Sequence, residues 1–202
     1  MVQTPAKPLT LEEFLAIPET KPASEYINGK IIQKPMPKGK HSTIQGELII
    51  ALNSFLKPSK TARAFPELRC TFGGRSTVPD VAVFTWDRIP HDDDGAIADS
   101  FQTAPDWTIE ILSPNGRHKL PNSIRETRPY QSHTRVTRNI LYCLDHGTQL
   151  GWLIDPSEQS IFAYYSRQQP AFFEDINTVL PVPDFAQSFQ LTLGELFGWL
   201  LD

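Results

Sequence analysis

The chain has 202 residues, of which 40% are hydrophobic and 21% charged, and its net charge is −4. That length suits one domain, residues 1–202, with a sizeable core, and the balance of apolar to charged residues is that of a soluble globular protein. No run reaches the roughly 18 apolar residues of a membrane span, and the acidic balance means that any nucleic-acid binding needs a local basic face. The first residues lack the apolar segment and small-residue cleavage site of a signal peptide. Cys70 and Cys143, each in an apolar setting, read as buried reduced thiols, which fits a cytoplasmic protein with no membrane partner.

In chain order, Thr10 and Glu13 form a capping box ahead of Leu11, Phe14 and Leu15 at helical spacing, and Pro18 ends the run. Asn28-Gly29 sits between two short apolar runs and predicts a tight hairpin, because that pair accepts positive φ. A second box, Ser42 to Gln45, predicts a helix with Ile44, Leu48, Ala51, Leu52 and Phe55 on one face, ending before Pro58. Strands are expected over residues 62–70, 78–84, 107–112, 151–154 and 161–165. A helix is expected over residues 137–143 and slightly beyond, closed near Gly147. A third box, Thr192 to Glu195, opens a last helix through Leu193, Leu196, Phe197 and Leu200. No internal repeat is present. The order predicts an α/β (α+β) protein, a mixed sheet flanked by helices.

Charge is unevenly spread. Residues 87–110 hold seven acids and one arginine, with Asp92, Asp93 and Asp94 adjacent, as expected of a solvated loop. Residues 117–138 hold six Lys or Arg against one Glu. They read either as a phosphate-contacting surface or as an exposed insert, and the stretch 115–134, with Pro121 and Pro129 and no apolar period, predicts a long exposed loop.

Two of the apolar strands each carry an acid, Asp80 in VPDVAVF (residues 78–84) and Glu110 in WTIEIL (residues 107–112). A carboxylate within an apolar strand is costly unless paired, hydrogen-bonded or bound to a cation. Side chains alternate along a strand, so Thr108, Glu110 and Leu112 share one face, and Asp80 meets Glu110 only if neighbouring strands match faces.

This pattern resembles the PD-(D/E)XK nuclease fold. More closely, the chain resembles the bacterial Uma-two family, classed with restriction endonucleases. The matching pieces are LTLEEFLAIP (9–18), EYINGKII (25–32), KHSTIQGEL (40–48), VPDVAVF (78–84), DWTIEILSP (106–114) and GWLIDP (151–156). The resemblance implies a restriction-endonuclease-like mixed sheet, DNA as partner, and Mg²⁺ or Mn²⁺ held by Asp80 and Glu110. It also implies a further acid at Glu25 and a histidine at His41. Left to the residues alone, Glu25 could equally be an exposed hairpin position, and His41 a hydrogen-bonded structural residue; Glu47 falls away from the apolar stripe.

One position departs from the pattern. In the wider fold a lysine stands two residues after the second acid, and here that residue is Leu112, which cannot stabilise negative charge. Related sequences carry the lysine on the following helix, at the position of Arg138. An arginine stays protonated and can hold phosphate charge without acting as a base. Lys38, Lys40 and Lys119 are alternative sources. Two functions follow: a metal-dependent DNA endonuclease, using Asp80, Glu110, Arg138, Glu25 and His41, or an inactive scaffold of the same fold that binds nucleic acid or a protein. A two-carboxylate glycosidase fits the Pro-Asp dipeptide less well. Enzymes that cut both strands commonly pair, so a homodimer is expected by analogy.

Overall fold

The computed structural model describes residues 9–113 and 133–201. Its frame is a six-stranded sheet centred on β6 (Val81–Thr85), β7 (Trp107–Ile111) and β8 (Leu150–Asp155). β6 pairs antiparallel with β7, whereas β7 and β8 are parallel. Parallel neighbours need a crossover, and helix α3 (His133–Asp145) lies between them in the chain. β9 (Ser160–Tyr165) and β10 (Ala171–Phe173) extend one side, and β3 (Ala62–Pro66) forms the other edge. At that edge the Asn53 side chain donates to the Ala64 carbonyl and accepts from the Ala64 N–H, both at 2.9 Å.

The alternation expected in residues 107–112 decides what covers each face. Trp107, Ile109 and Ile111, with Val81, Val83 and Trp152, form the larger core. Helix α2 (Gly39–Leu56) covers it through Ile44, Leu48, Leu52 and Leu56, beside α4 (Leu193–Gly198). On the other face α3 packs Val136, Ile140 and Leu144 with Leu153. Its seat there is Gly151, where an added Cβ would come within 2.2 Å of the Ile140 side chain.

A smaller sheet, in the order β2-β1-β5-β4, joins this second face. Its strands are β1 (Ser24–Ile27), β2 (Lys30–Gln33), β4 (Cys70–Phe72) and β5 (Arg75–Thr77). Asn28 and Gly29 take φ of 51° and 79° between β1 and β2, the hairpin read from the sequence. Cys70 and Phe72 pack with Ala82 and Phe84, and the Tyr142 hydroxyl donates to the carbonyls of Phe72 and Gly73. Both cysteines are free and buried.

Helix α1 (Leu11–Leu15) and α4 start at the expected capping boxes. The middle box does not operate. Helix α2 begins at Gly39, with Lys38 as an N-cap whose side chain does not cap the helix, and Ser42 N–H already donates to the Lys38 carbonyl. The strand expected over 62–70 is broken: after Pro66 the chain turns at Glu67, φ 45°, and passes from the large sheet to the small one. The strand expected to start at residue 78 starts at Val81, so Asp80 stands just before it. Asp92, Asp93 and Asp94 are exposed, as read. The expected loop over 115–134 lies outside the described residues, except that His133 and Thr134 already belong to α3. No described helix is long and apolar enough to cross a membrane.

Gly151→Ala should destabilise the protein by about 1–3 kcal/mol, the cost of overpacking a close interface. A urea-unfolding midpoint compared with wild type checks this.

Candidate active site

The register of β6 on β7 pairs Val81 with Ile109. Asp80, one residue earlier, therefore comes beside Glu110, one residue later. Asp80 is 1% exposed, and its carboxylate is fully engaged. Oδ2 accepts the Ile111 N–H at 2.8 Å and lies 3.0 Å from His41 Nε2. Because a carboxylate only accepts, Nε2 carries the proton of that contact. Oδ1 accepts from Lys34 Nζ at 2.6 Å. The Asp80 carbonyl takes the Gln45 amide at 2.7 Å and the Glu67 N–H at 3.2 Å.

Lys34 follows β2 directly. Its ammonium also donates to the Val78 carbonyl at 2.7 Å and lies 3.6 Å from Glu110 Oε2. Its side chain keeps 13% exposure, against 1% for Asp80 and 5% for Glu110, so it closes the site from the solvent side. A recess here is lined by Pro35, Pro37, His41, Ser113 and the Lys34–Asp80 pair.

Glu25, on β1, is buried rather than exposed. Its Oε1 accepts the Val78 N–H at 3.0 Å, and its Oε2 accepts from Asn139 of α3 at 3.2 Å. Glu25 thus braces the Val78-Pro79-Asp80 corner. Among the described residues the amide oxygen of Asn139 and Nδ1 of His41 are buried without a partner.

Burial raises the pKa of all three carboxyls, and neighbouring charge separates them. For Asp80 the Lys34 ammonium, then the hydrogen bond and charge of His41, outweigh burial and hold the carboxyl well below its usual range. For Glu110 burial wins over Lys34, and the charges of Asp80 and Glu25 add to it, so the group sits well above its usual range. Glu25 is also raised by burial, which Lys34 and its two donors only partly offset. Burial would lower Lys34, but Asp80, Glu110 and Glu25 together raise it, and it stays protonated.

The other expected residues lie elsewhere. Arg138 is exposed on α3, one position before Asn139, and the ammonium beside the carboxylates belongs to Lys34. Leu112 packs toward Val136 and Ile140. Lys38 and Lys40 are exposed, Glu47 is half-buried, and Lys119 lies outside the described residues. Asp106, another buried acid, is taken up by Thr85 and Arg88 and serves the fold. Lys34 was missed in the sequence, although a signal existed. The two-residue Asn28-Gly29 turn sets Glu25 opposite Ile32, so Lys34, two residues on, shares its face.

Residues 11–194 match the family model of Uma2, described as "Putative restriction endonuclease". The chain belongs to the Uma2 family. A crystal structure of a "putative nuclease belonging to DUF820" from Anabaena variabilis is similar to this Uma2 protein at 56% identity. The match covers 96% of this chain and 99% of that one, with a TM-score of 0.87, so the two share one fold. No curated protein matches the chain in sequence.

The donor set fits a hard divalent cation. Three buried carboxyls, Glu25, Asp80 and Glu110, face one lysine, so their full ionisation outnumbers its single positive charge. The Lys34 ammonium within reach of both Asp80 and Glu110 shows that the pair converges on positive charge. Among the described residues there is no group of three or more His, Cys, Asp or Glu side chains that could hold a metal ion. Mg²⁺ needs none, because it commonly sits on one or two carboxylates and keeps its waters.

The two carboxyls should respond oppositely to removal of charge. Glu110 is raised, so its burial penalises the fold as pH climbs above its unfolded value of about 4.3. Glu110→Gln should therefore stabilise the metal-free protein at pH 7, by on the order of 1 kcal/mol, the equivalent of one pKa unit. The gain should fade below about pH 4. Asp80 is depressed, and its contribution is present above about pH 3.9 and lost as pH falls through the folded value. Asp80→Asn should cost stability at pH 7. Urea unfolding in EDTA at both pH values reads both effects.

Proposed function

We propose that this Uma2 protein is a divalent-cation-dependent nuclease that hydrolyses phosphodiester bonds of DNA. Asp80 and Glu110 are the ligands of Mg²⁺ or Mn²⁺, and Lys34 supplies the charge that Leu112 cannot. One observation carries the reading: Lys34 Nζ lies 2.6 Å from Asp80 and 3.6 Å from Glu110, so acid, acid and lysine meet although the lysine has left its usual strand. The family description and the nuclease named in the similar structure support the same class.

When bound, Mg²⁺ at such a site polarises the phosphate and lowers the pKa of a coordinated water. The residues do the rest. Asp80 is already ionised and held still by His41, Lys34 and the Ile111 N–H, so it presents a fixed anion. Glu110 is held back from ionising by burial and by the charges of Asp80 and Glu25, and it would give up its proton to hold a cation. Lys34 remains protonated, so it cannot act as a general base; its role is to neutralise charge growing on the phosphate oxygens. Glu25 and Asn139 keep the corner before Asp80 in place. His41 acts as a positioning residue on Asp80.

Millimolar Mn²⁺ should raise the melting temperature of wild type, because a ligand at a hundred times its Kd adds about 2.7 kcal/mol. Asp80→Ala should melt at the same temperature with and without the ion. An unchanged wild-type melting temperature argues against the metal. In a Mg²⁺-dependent DNA cleavage assay Lys34→Ala should lose on the order of a hundredfold or more, whereas Arg138→Ala should stay close to wild type. A wild type that binds metal and cuts nothing would favour the scaffold.

A further inference from the structure

Residues 30–40 carry Lys30, Lys34, Lys38 and Lys40 and no acid, within a chain of net charge −4. Lys30, Lys38 and Lys40 are exposed. Between them stands Met36, 66% exposed and flanked by Pro35 and Pro37, which line the recess containing Lys34, His41 and Asp80. Two prolines fix their φ angles and lower the entropy lost when the segment grips a ligand. A thioether held in water at the rim of a polar recess adds nothing to the core. The same rim continues into the first turn of α2, whose N-cap Lys38 makes no side-chain cap bond. The positive end of an 18-residue helix therefore lies beside the lysines.

We propose that residues 35–40 are the flank that holds nucleic acid beside the reacting phosphodiester, with Lys38 and Lys40 on backbone phosphates and Met36 against the sugar or base of the adjoining nucleotide. This rests on the nuclease reading and deepens it. The strip is a local basic track on an acidic protein, so repulsion elsewhere steers a polyanion toward it. Phosphate pairs position the strand without reading its sequence, and apolar side chains such as methionine are known to wedge against base steps.

The test is fluorescence anisotropy of a labelled duplex of about 20 base pairs in EDTA, over a NaCl series. For wild type, affinity should fall with salt at about 0.9 log units per phosphate contact. Lys38→Ala/Lys40→Ala should weaken binding at low salt and reduce that slope by about two. Met36→Ser should weaken binding roughly tenfold at every salt with the slope unchanged, the scale of one buried methionine. Lys57→Ala/Lys60→Ala, exposed at the far end of α2, should leave the slope as it was. If wild type binds but neither the lysine pair nor Met36 matters, or if the far pair lowers the slope equally, the flank is overturned and the nuclease reading stands. If wild type shows no salt-dependent binding at all, both fall. Far-UV circular dichroism confirms that the variants, all at exposed positions, keep their fold.

Discussion

An ionised carboxylate almost wholly removed from water is tolerable only if donors surround it, and Asp80 imposes that demand on the segments gathered around it. The lysine after β2, the histidine in the first turn of α2 and the backbone N–H of Ile111 all answer it. None of these segments is adjacent to Asp80 in sequence. The small sheet, the long helix and the central strand thus owe their mutual placement partly to one acid, and displacing any of them would leave an unpaired charge inside.

The neighbouring carboxyls show that the arrangement is not one of maximal stability. Asp80 takes most of the positive charge that Lys34 offers, and Glu110 is left raised by burial and by repulsion from Asp80 and Glu25. A core built for stability alone would put a neutral residue at position 110. Holding two acids apart in their readiness to ionise is the kind of local conflict that marks a functional site.

Much of this was legible from residues. The alternation through WTIEIL set which side chains share the face of Glu110, and Asn28-Gly29 announced the hairpin. Other features needed the third dimension. The motif points to a lysine two residues after Glu110 and then to α3, because a motif is a spacing along one chain. The chemistry asks only for a position in space, and a strand from the other sheet meets it. The Ser42 box failed because a pattern of side chains cannot exclude an earlier start, and Gly39 through His41 already continue the helix. The break after Pro66 was hidden because either half of residues 62–70 is a good strand by itself; only the left-handed turn at Glu67 sends them to different sheets.

The amide of Asn53 occupies both hydrogen-bonding groups of Ala64 on the outer edge of β3. Exposed strand edges invite pairing with a second chain, and here a side chain on α2 blocks the invitation at its middle. The same helix delivers His41 to Asp80 from its first turn. Loosening α2 would thus unmask a sticky edge in the act of withdrawing His41. Damaged molecules of this protein would lose the site and gain a route to self-association together.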